Sequence, residues 1–259
     1  SPLVGAAKLS AKLNHNILLK REDLQSVYSF KLRGAYYKMA SLNEDERKRG
    51  VITASAGNHA QGVALAGKKL GLDTRIVMPE TTPLIKVEAV RKLGGTVVLY
   101  GDSYDVAYSH AQQLAAETGM CFVHPYDDEH VIAGQGTIAK EILSQAAHID
   151  AVFIPVGGGG LAAGMCAYLQ AVAPHIKVIA VEPVDAACLR AALAAKQRAV
   201  LSQVGLFADG VAVRQIGERP WEILKDHVDD CITVTVDEIC AAIRDTFNET
   251  RAVPEPAGA

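Results

Sequence analysis

Residues 151–161 have the sequence AVFIPVGGGGL, in which an apolar run of strand length ends in four consecutive glycines. A helix-like stretch begins directly after them. Glycines at such a turn let backbone N–H groups close around an anion, and the positive end of the following helix adds to the attraction. The residues that we therefore predict to hold a phosphate group are Gly157, Gly158, Gly159 and Gly160.

This glycine loop does not by itself say which phosphate compound binds. Gly157, Gly159 and Ala162 also fit a loose dinucleotide fingerprint. Glu182 ends the next apolar run about twenty residues further on, where dinucleotide sites place an acidic residue. A nicotinamide-dinucleotide site and a plain flexible turn both remain open for this segment taken alone.

Apolar runs of strand length alternate with longer amphipathic stretches along the rest of the chain. The predicted strands are residues 16–20, 51–54, 74–78, 96–100, 120–123, 151–156, 177–181 and 231–234. The helix-like stretches include residues 30–41, 60–70, 83–93, 104–117, 133–144, 161–172 and 238–250. This alternation predicts an α/β fold around mainly parallel sheet, and the continuous apolar strands predict helices on both faces. No repeat or linker marks a domain boundary.

Composition and charge exclude several classes of protein. Hydrophobic residues make up 49% of the chain, charged residues make up 21%, and the formal net charge is −3. This balance is typical of a globular protein and offers no basic surface for nucleic acid or an anionic membrane. No apolar run reaches the length of about eighteen residues that a membrane span needs. The five cysteines are scattered without a C-x-x-C pair, which favours reduced thiols in a cytoplasmic protein.

A second segment with chemical potential follows the apolar run 51–54. It begins with Ser55, Ala56 and Gly57, whose small side chains expose backbone N–H groups at the start of a helix and so form a receptor for a carboxylate. Asn58 either caps that helix or donates an amide hydrogen bond to a ligand. The alternative is an ordinary capped turn with His59 at the surface.

A third segment, Ser29-Phe30-Lys31, opens another helix-like stretch. Ser29 is the predicted N-cap, so Lys31 falls in the first turn, where the positive helix end opposes protonation of its amine. A lysine whose ammonium form is disfavoured becomes a nucleophile that can form a Schiff base. The alternative is an ordinary solvated lysine.

Taken together, the three segments resemble, in order and spacing, the fold-type II (tryptophan synthase β-like) enzymes that use pyridoxal 5'-phosphate. The resemblance covers essentially the whole chain and displaces the dinucleotide alternative. The segments that carry it are residues 1–3, 20–23, 29–34, 55–62, 132–137, 157–161 and 255–259. It implies a two-domain, three-layer α/β/α fold with mostly parallel sheets. The domains implied are a large cofactor-binding domain, residues 1–45 and 128–259, and a small substrate-side domain, residues 46–127.

Within this family, residues 51–64, 155–164 and 205–213 are most similar to the branch that dehydrates threonine. The resemblance therefore implies dehydration and deamination of L-threonine to 2-oxobutanoate and ammonia, as in isoleucine biosynthesis. L-serine is the implied secondary substrate. The alternatives are a serine dehydratase or racemase-like enzyme, and a fragment that binds the cofactor without turnover.

The resemblance also implies roles for individual residues. Lys31 holds the cofactor covalently and, once the substrate has displaced it, removes the Cα proton. Phe30 packs on the pyridine ring, Asn58 bonds the ring's 3-oxygen, and Asp209 contacts the substrate hydroxyl. The residues implied to hold the phosphate are Gly157, Gly158, Gly159, Gly160 and Leu161. Those implied to bind the substrate carboxylate are Ser55, Ala56, Gly57, Asn58 and His59.

Three positions depart from the patterns of the family. Ala56 stands where its racemases have a second serine that transfers a proton, so a two-base racemase is disfavoured. Cys188 stands where serine racemase has an aspartate at its divalent-metal site, so we expect no metal. The serine or threonine that the family places opposite the pyridine nitrogen would follow Ala259. We expect the chain to be truncated there, and at Ser1, which lacks an initiator Met.

The partners implied are few. They are a small-molecule amino-acid substrate and further copies of the chain in a dimer or tetramer, with no nucleic acid and no membrane. The compartment implied is the cytoplasm, or an organelle if the source is eukaryotic.

Overall fold

The structure is a computed structural model that describes all 259 residues. Its strands are β1 (Leu3–Gly5), β2 (Leu18–Lys20), β3 (Val51–Ala54), β4 (Thr74–Met78), β5 (Thr96–Leu99), β6 (Cys121–Phe122), β7 (Ala151–Pro155), β8 (Lys177–Pro183) and β9 (Asp230–Val234). Its helices are α1 (Ala7–Leu13), α2 (Lys31–Ala40), α3 (Glu44–Arg49), α4 (Asn58–Leu70), α5 (Leu84–Lys92), α6 (Tyr104–Thr118), α7 (Glu129–Gln145), α8 (Gly160–Val172), α9 (Cys188–Ala195), α10 (Glu218–His227) and α11 (Val236–Thr250).

The chain divides into two compact units. The first unit contains Ser1–Asp23 and Gly136–Ala259, and the second contains Leu24–Gln135. These bounds differ from the predicted domains at segments 24–45 and 128–135, which group here with the second unit. The predicted division concerns cofactor and substrate binding rather than compactness, and it stays a prediction.

The second unit is built around a parallel four-stranded sheet in the order β5-β4-β3-β6. All four residues of β3 are buried, because helices cover both faces of the sheet. Val51 and Ile76 pack on one face with residues of α2, α4 and α5. Ile52 and Val77 pack on the other face with residues of α6. Because β3 and β6 are parallel neighbours, the segments that follow them leave the sheet side by side at its carboxyl edge.

The first unit contains a parallel three-stranded sheet in the order β7-β8-β9 and an antiparallel pair, β1 with β2. Helices α8 and α10 pack against each other, and Leu169 of α8 and Leu224 of α10 are both fully buried. Ile154 of β7 is likewise buried. The glycine loop follows β7 directly, so it leaves this sheet at a carboxyl edge as well.

Every strand and helix predicted from the sequence is present, with bounds that differ by a few residues. The elements absent from the prediction are β1, α1, α3, α9 and α10. No helix in the structure combines the length and the apolar composition that crossing a membrane would require.

Candidate active site

Lys31 is the first residue of α2. The N-cap is Phe30, whose backbone is already helical (φ −67°, ψ −16°) and whose carbonyl accepts the Arg33 N–H at 2.9 Å. The prediction that Ser29 caps the helix is therefore wrong, because Ser29 lies one residue too far out. Its hydroxyl is buried without a hydrogen-bond partner. Lys31 nevertheless lies in the first turn, as predicted, at the positive end of the helix.

The Lys31 side chain contacts a carbonyl group and an aromatic ring. Its Nζ donates a hydrogen bond to the carbonyl oxygen of Pro125 at 3.2 Å. The same Nζ lies 5.3 Å from the centroid of the Phe30 ring, within range of a cation–π interaction. Both contacts keep the amine beside the N-terminus of α2.

Close contacts at two glycines fix α2 against its neighbours. A Cβ at Gly62 of α4 would lie 3.0 Å from the carbonyl carbon of Lys31. A Cβ at Gly34 of α2 would lie 2.7 Å from the carbonyl oxygen of Val131. Side chains at these positions would push the helices apart in a close-packed interior. The two glycines therefore determine where the Lys31 side chain starts.

The loop between β3 and α4 has backbone N–H groups with no acceptor in the protein, and its binding of a carboxylate stays a prediction. Gly57 occupies the N-cap of α4, so Asn58 is the first helical residue rather than the cap. The Ser55 hydroxyl accepts the Gly57 N–H at 3.2 Å. No protein group accepts the N–H of Ala56 or of His59.

His59 is buried, so the alternative of a surface histidine is wrong. Its Nε2 lies 3.0 Å from the carbonyl oxygen of Val123, which also accepts the Thr53 hydroxyl at 2.8 Å. Because a carbonyl can only accept, Nε2 carries the proton, and Nδ1 is left as a buried acceptor without a partner. Burial, helped by the positive charge of Lys31, lowers the pKa of His59 to about 3, so the ring is neutral.

His124 is a residue of this site that the sequence analysis does not identify. Its Nδ1 accepts the N–H of Asp127 at 2.8 Å and that of Tyr126 at 3.3 Å. The turn so formed includes the Pro125 carbonyl that accepts Lys31 Nζ. Burial lowers the pKa of His124 to about 4, against the opposing effect of two neighbouring aspartates. The one sequence signal for His124 is its position directly after a predicted strand.

The glycine loop between β7 and α8 contains four buried glycines. Gly159 is the N-cap of α8 with φ +89°, a left-handed backbone that favours glycine. A Cβ at Gly157 would lie 2.9 Å from the Cα of Val211. No protein group accepts the N–H of any of the four glycines or of Leu161. The loop therefore excludes side chains at two positions and keeps a set of buried donors.

Asp209 is the first residue of a 3₁₀ turn, Asp209–Val211, and it is exposed. The last residue of this turn is Val211, which packs on Gly157. The first unit thus brings the Asp209 turn and the glycine loop together. The second unit separately brings together Phe30, Lys31 and the 55–59 loop.

Glu182 and Cys188 are buried together at the carboxyl end of β8. The Glu182 carboxylate accepts the N–H of Leu189 at 2.8 Å and that of Arg190 at 2.9 Å, in the first turn of α9. Burial raises the pKa of Glu182, and it raises the pKa of Cys188 to about 12. The Cys188 thiol donates to the Gly157 carbonyl at 3.4 Å. A thiol that keeps its proton is a poor metal ligand, and the expectation that no metal binds here stays a prediction.

Comparison with known proteins places the chain in a family. A family model described as Pyridoxal-phosphate dependent enzyme matches residues 1–259. The biosynthetic L-threonine dehydratase IlvA of Salmonella typhimurium is 54% identical over 259 residues, which are 100% of this chain and 50% of that protein. The chloroplastic biosynthetic threonine dehydratase of Arabidopsis thaliana is 54% identical over 260 residues, with 100% and 44% covered. The chain spans about half the length of the curated relatives it matches.

Solved structures give the same grouping. The processed form of threonine deaminase isoform 2 from Solanum lycopersicum matches with a TM-score of 0.98 and 51% identity, over 99% of this chain and 71% of that one. Maize serine racemase matches with a TM-score of 0.96 and 32% identity, over 100% of this chain and 78% of that one.

Three features agree with the resemblance to fold-type II pyridoxal-phosphate enzymes: parallel α/β sheets, a lysine at a helix start and a glycine loop of buried donors. Because the family model matches its whole length, the chain belongs to the family of pyridoxal-phosphate-dependent enzymes. The predicted fold class and the predicted cofactor, pyridoxal 5'-phosphate, are thereby confirmed.

The residues present fit this cofactor on structural grounds. Buried N–H groups without acceptors each cost about 1–3 kcal/mol, and a phosphate at the glycine loop would satisfy them. A Cβ at Gly157 would meet the Val211 backbone and a Cβ at Gly159 would meet the side chains of Ile216 and Pro220, so neither position has room for a side chain. In the second unit, the Lys31 amine provides the group that a cofactor aldehyde requires.

Proposed function

We propose that the chain dehydrates and deaminates L-threonine to 2-oxobutanoate and ammonia, with L-serine as a secondary substrate. The observation that carries this proposal is identity of 54% with a biosynthetic threonine dehydratase along the whole chain. The Lys31 amine, held on the Pro125 carbonyl beside two neutral histidines, is the chemical group that such an activity needs.

We propose two roles for Lys31. Its amine would hold the cofactor covalently, and its free Nζ would accept the proton from the substrate Cα. When bound, pyridoxal phosphate supplies an aldehyde that condenses with amines and a conjugated ring that delocalises the electron pair left at Cα. Phe30, whose ring already lies against Lys31 Nζ, packs on the pyridine ring.

The remaining site residues position cofactor and substrate. The N–H groups of Ala56 and His59, which have no acceptor in the protein, receive the substrate carboxylate, and Asn58 bonds the 3-oxygen of the cofactor. The glycine loop binds the phosphate, and Asp209 contacts the substrate hydroxyl. In net balance the Cα proton and the β-hydroxyl would leave together as water, and the enamine so released would react with water to give 2-oxobutanoate and ammonia.

A serine racemase-like activity is the second candidate, because maize serine racemase has nearly the same fold. Racemisation needs a proton delivered to the face of Cα opposite Lys31. Ala56 has a methyl group where the resemblance places that second proton-transfer group. Elimination needs no second base, so the substrate's own leaving group favours the dehydratase reaction.

The test is an assay for 2-oxobutanoate with L-threonine in the presence of pyridoxal phosphate. Lys31→Arg is the matched control, because it keeps a positive charge but removes the primary amine. Product from the parent chain and none from the variant support the proposal. Cofactor absorbance without product would instead support a fragment that binds the cofactor without turnover.

We also propose that the chain forms a homo-oligomer, as a dimer or tetramer. Large apolar side chains such as Leu24 (60% exposed) and Tyr28 (80% exposed) are of the kind that interfaces cover. The compartment that we propose is the cytoplasm, or an organelle if the source is eukaryotic, since the Arabidopsis relative is named as chloroplastic.

A further inference from the structure

The turn after β6, residues 123–127, contacts the Lys31 amine, and hydrogen bonds hold the first residue of this turn in place. The Val123 carbonyl accepts two side-chain donors, one of which is His59 Nε2–H at 3.0 Å. Two residues further on, the Pro125 carbonyl accepts Lys31 Nζ at 3.2 Å. The Pro125 carbonyl therefore follows closely after the end of β6, which a hydrogen bond from His59 attaches to the first turn of α4.

His124 gives this turn its shape. Its Nδ1 accepts the N–H groups of Asp127 and Tyr126, as an Asn or Asp side chain does in an Asx turn. Nδ1 can accept only while it carries no proton. Because burial lowers the pKa of His124 to about 4, the acceptor is present at neutral pH.

A separate contact anchors the rest of α2 to the chain just after this turn. Lys38, two helical turns beyond Lys31, forms an ion pair with Asp128 at 2.8 Å. The Asp128 carboxylate also accepts the N–H groups of His130 and Val131 at the start of α7. Helix α2 therefore stays attached if the His124 contacts are lost, whereas the contact between Pro125 and the amine depends on the shape of the turn.

We propose that His124 is a positioning residue for Lys31. His124 shapes the turn so that the Pro125 carbonyl contacts the Lys31 amine, and this contact determines where the nucleophile lies and how readily it is protonated. This inference rests on the proposed function of Lys31 as the cofactor lysine. The titratable groups that interact electrostatically with His124 are Lys31, Asp127, Asp128 and His59, and His59 interacts with Lys31 as well. Two phenol side chains, Tyr108 and Tyr126, pack on its ring.

Two substitutions separate the acceptor from the ring. His124→Asn keeps an acceptor oxygen near the place of Nδ1, and Asn readily forms this type of turn. His124→Phe keeps an aromatic ring against Tyr126, at 4.7 Å between centroids in the present structure, but has no acceptor. A role in packing alone predicts that Phe is the better replacement, whereas the proposed role predicts that Asn is.

The test measures how fast Lys31 captures pyridoxal phosphate in the cofactor-stripped 259-residue chain. Borohydride traps the product, peptide mapping locates the label, and the rate is recorded from about pH 6 to about pH 10. We expect His124→Phe to lower the plateau rate at least about tenfold, because displacement of a reacting group by about 1 Å can cost about a hundredfold. We also expect its pH midpoint to move down by about one unit, because a carbonyl acceptor stabilises the protonated amine. His124→Asn is expected to keep the parent's rate and midpoint.

An unchanged capture rate and pH midpoint in His124→Phe would overturn the inference. So would a capture rate in His124→Asn as low as that in His124→Phe, if the circular dichroism of His124→Asn matches that of the parent. If His124→Phe does not fold, His124→Gln replaces it and is expected to show the same two changes, because its acceptor lies one bond farther from the backbone. Label on a lysine other than Lys31 in the parent would instead overturn the proposed function. The two failures are therefore distinguishable.

Discussion

Replacement of Gly159 tests whether the glycine loop binds a phosphate group. Any side chain there must adopt φ +89°, which costs about 1–2 kcal/mol for most residues. Its Cβ would lie 2.5 Å from Ile216 Cδ1 and 2.8 Å from Pro220 Cβ, and such overpacking costs about 1–3 kcal/mol. A substitution therefore lowers the free energy of unfolding whether or not a phosphate binds, so a single variant is uninformative.

The informative comparison is Gly159→Asp against Gly159→Asn. The two side chains have the same shape and both tolerate a left-handed backbone, so they share the steric and conformational cost. Only Asp adds a negative charge among the N–H groups that we expect to bind the phosphate. Two like charges about 4 Å apart repel by about 4 kcal/mol at an effective dielectric constant of about 20. We expect Gly159→Asp to bind the cofactor at least about a hundredfold more weakly than the parent, and at least about tenfold more weakly than Gly159→Asn.

The single tryptophan of the chain provides the assay. Trp221 is buried in α10, whose N-cap, Gly217, donates its N–H to the Gly158 carbonyl at 3.1 Å. Its fluorescence should be quenched as the cofactor binds the loop, so a titration gives the dissociation constant for each variant. Equal affinities for the Asp and Asn variants would refute the electrostatic reasoning. Parent-like affinity in Gly159→Asp would refute the phosphate role of the loop.

Three further predictions follow from the second unit. Lys31→Ala should abolish covalent capture of the cofactor and turnover while leaving the circular dichroism unchanged; borohydride label on another lysine of the parent would contradict this. The parent should form pyruvate from L-serine with negligible D-serine, and Ala56→Ser should raise D-serine formation. Chiral chromatography measures D-serine, and an oxo-acid assay measures pyruvate. Equal rates of D-serine and pyruvate formation in the parent would show that Ala56 does not distinguish a dehydratase from a racemase. The pKa values of His59 (about 3) and His124 (about 4) are lowered in the folded chain, so the free energy of unfolding should be highest above about pH 6.5. Below that pH these histidines gain protons in the unfolded chain but not in the folded one, which favours unfolding. Between about pH 6.5 and its pKa in the folded chain, each histidine should lower the free energy of unfolding by about 1.4 kcal/mol per pH unit. Urea titrations with equal midpoints at about pH 7 and about pH 5 would contradict this.

The apolar elements could be predicted from the sequence, whereas the polar and very short elements could not. Strand β3 is buried on both faces, and its continuous apolar run is visible in the sequence. Helix α3 has the sequence EDERKR and buries no residue. It shows no amphipathic period, and the capping box of Asn43 and Glu46 stabilises it instead. Strand β1 has three residues and is defined by its pairing with β2, which a sequence pattern does not report.

The same distinction explains which parts of the site could be predicted. Glycines report directly on backbone conformation, so a run of four after a strand indicates the loop and its N–H donors. The fine placement of Ser29 could not be predicted in this way, since either Ser29 or Phe30 could begin the helix and local backbone geometry decided between them. The His124 turn acts through the carbonyl of Pro125, and every residue has a carbonyl, so residue type gives no signal for that contact.

Strand order is the information that the sequence lacks. The segment after β3 and the segment after β6 are separated by more than sixty residues, yet β3 and β6 are parallel neighbours in the sheet. Ligand-binding groups of parallel α/β sheets collect at the carboxyl ends of the strands, so both segments belong to one edge. The sequence indicates a site after β3, because Ser55, Gly57 and Asn58 are residue types suited to one. Once β6 is known to be the neighbour, the first polar side chain after it, His124, becomes a candidate by the same rule, and its hydrogen bonds place it in the turn whose Pro125 carbonyl accepts Lys31 Nζ.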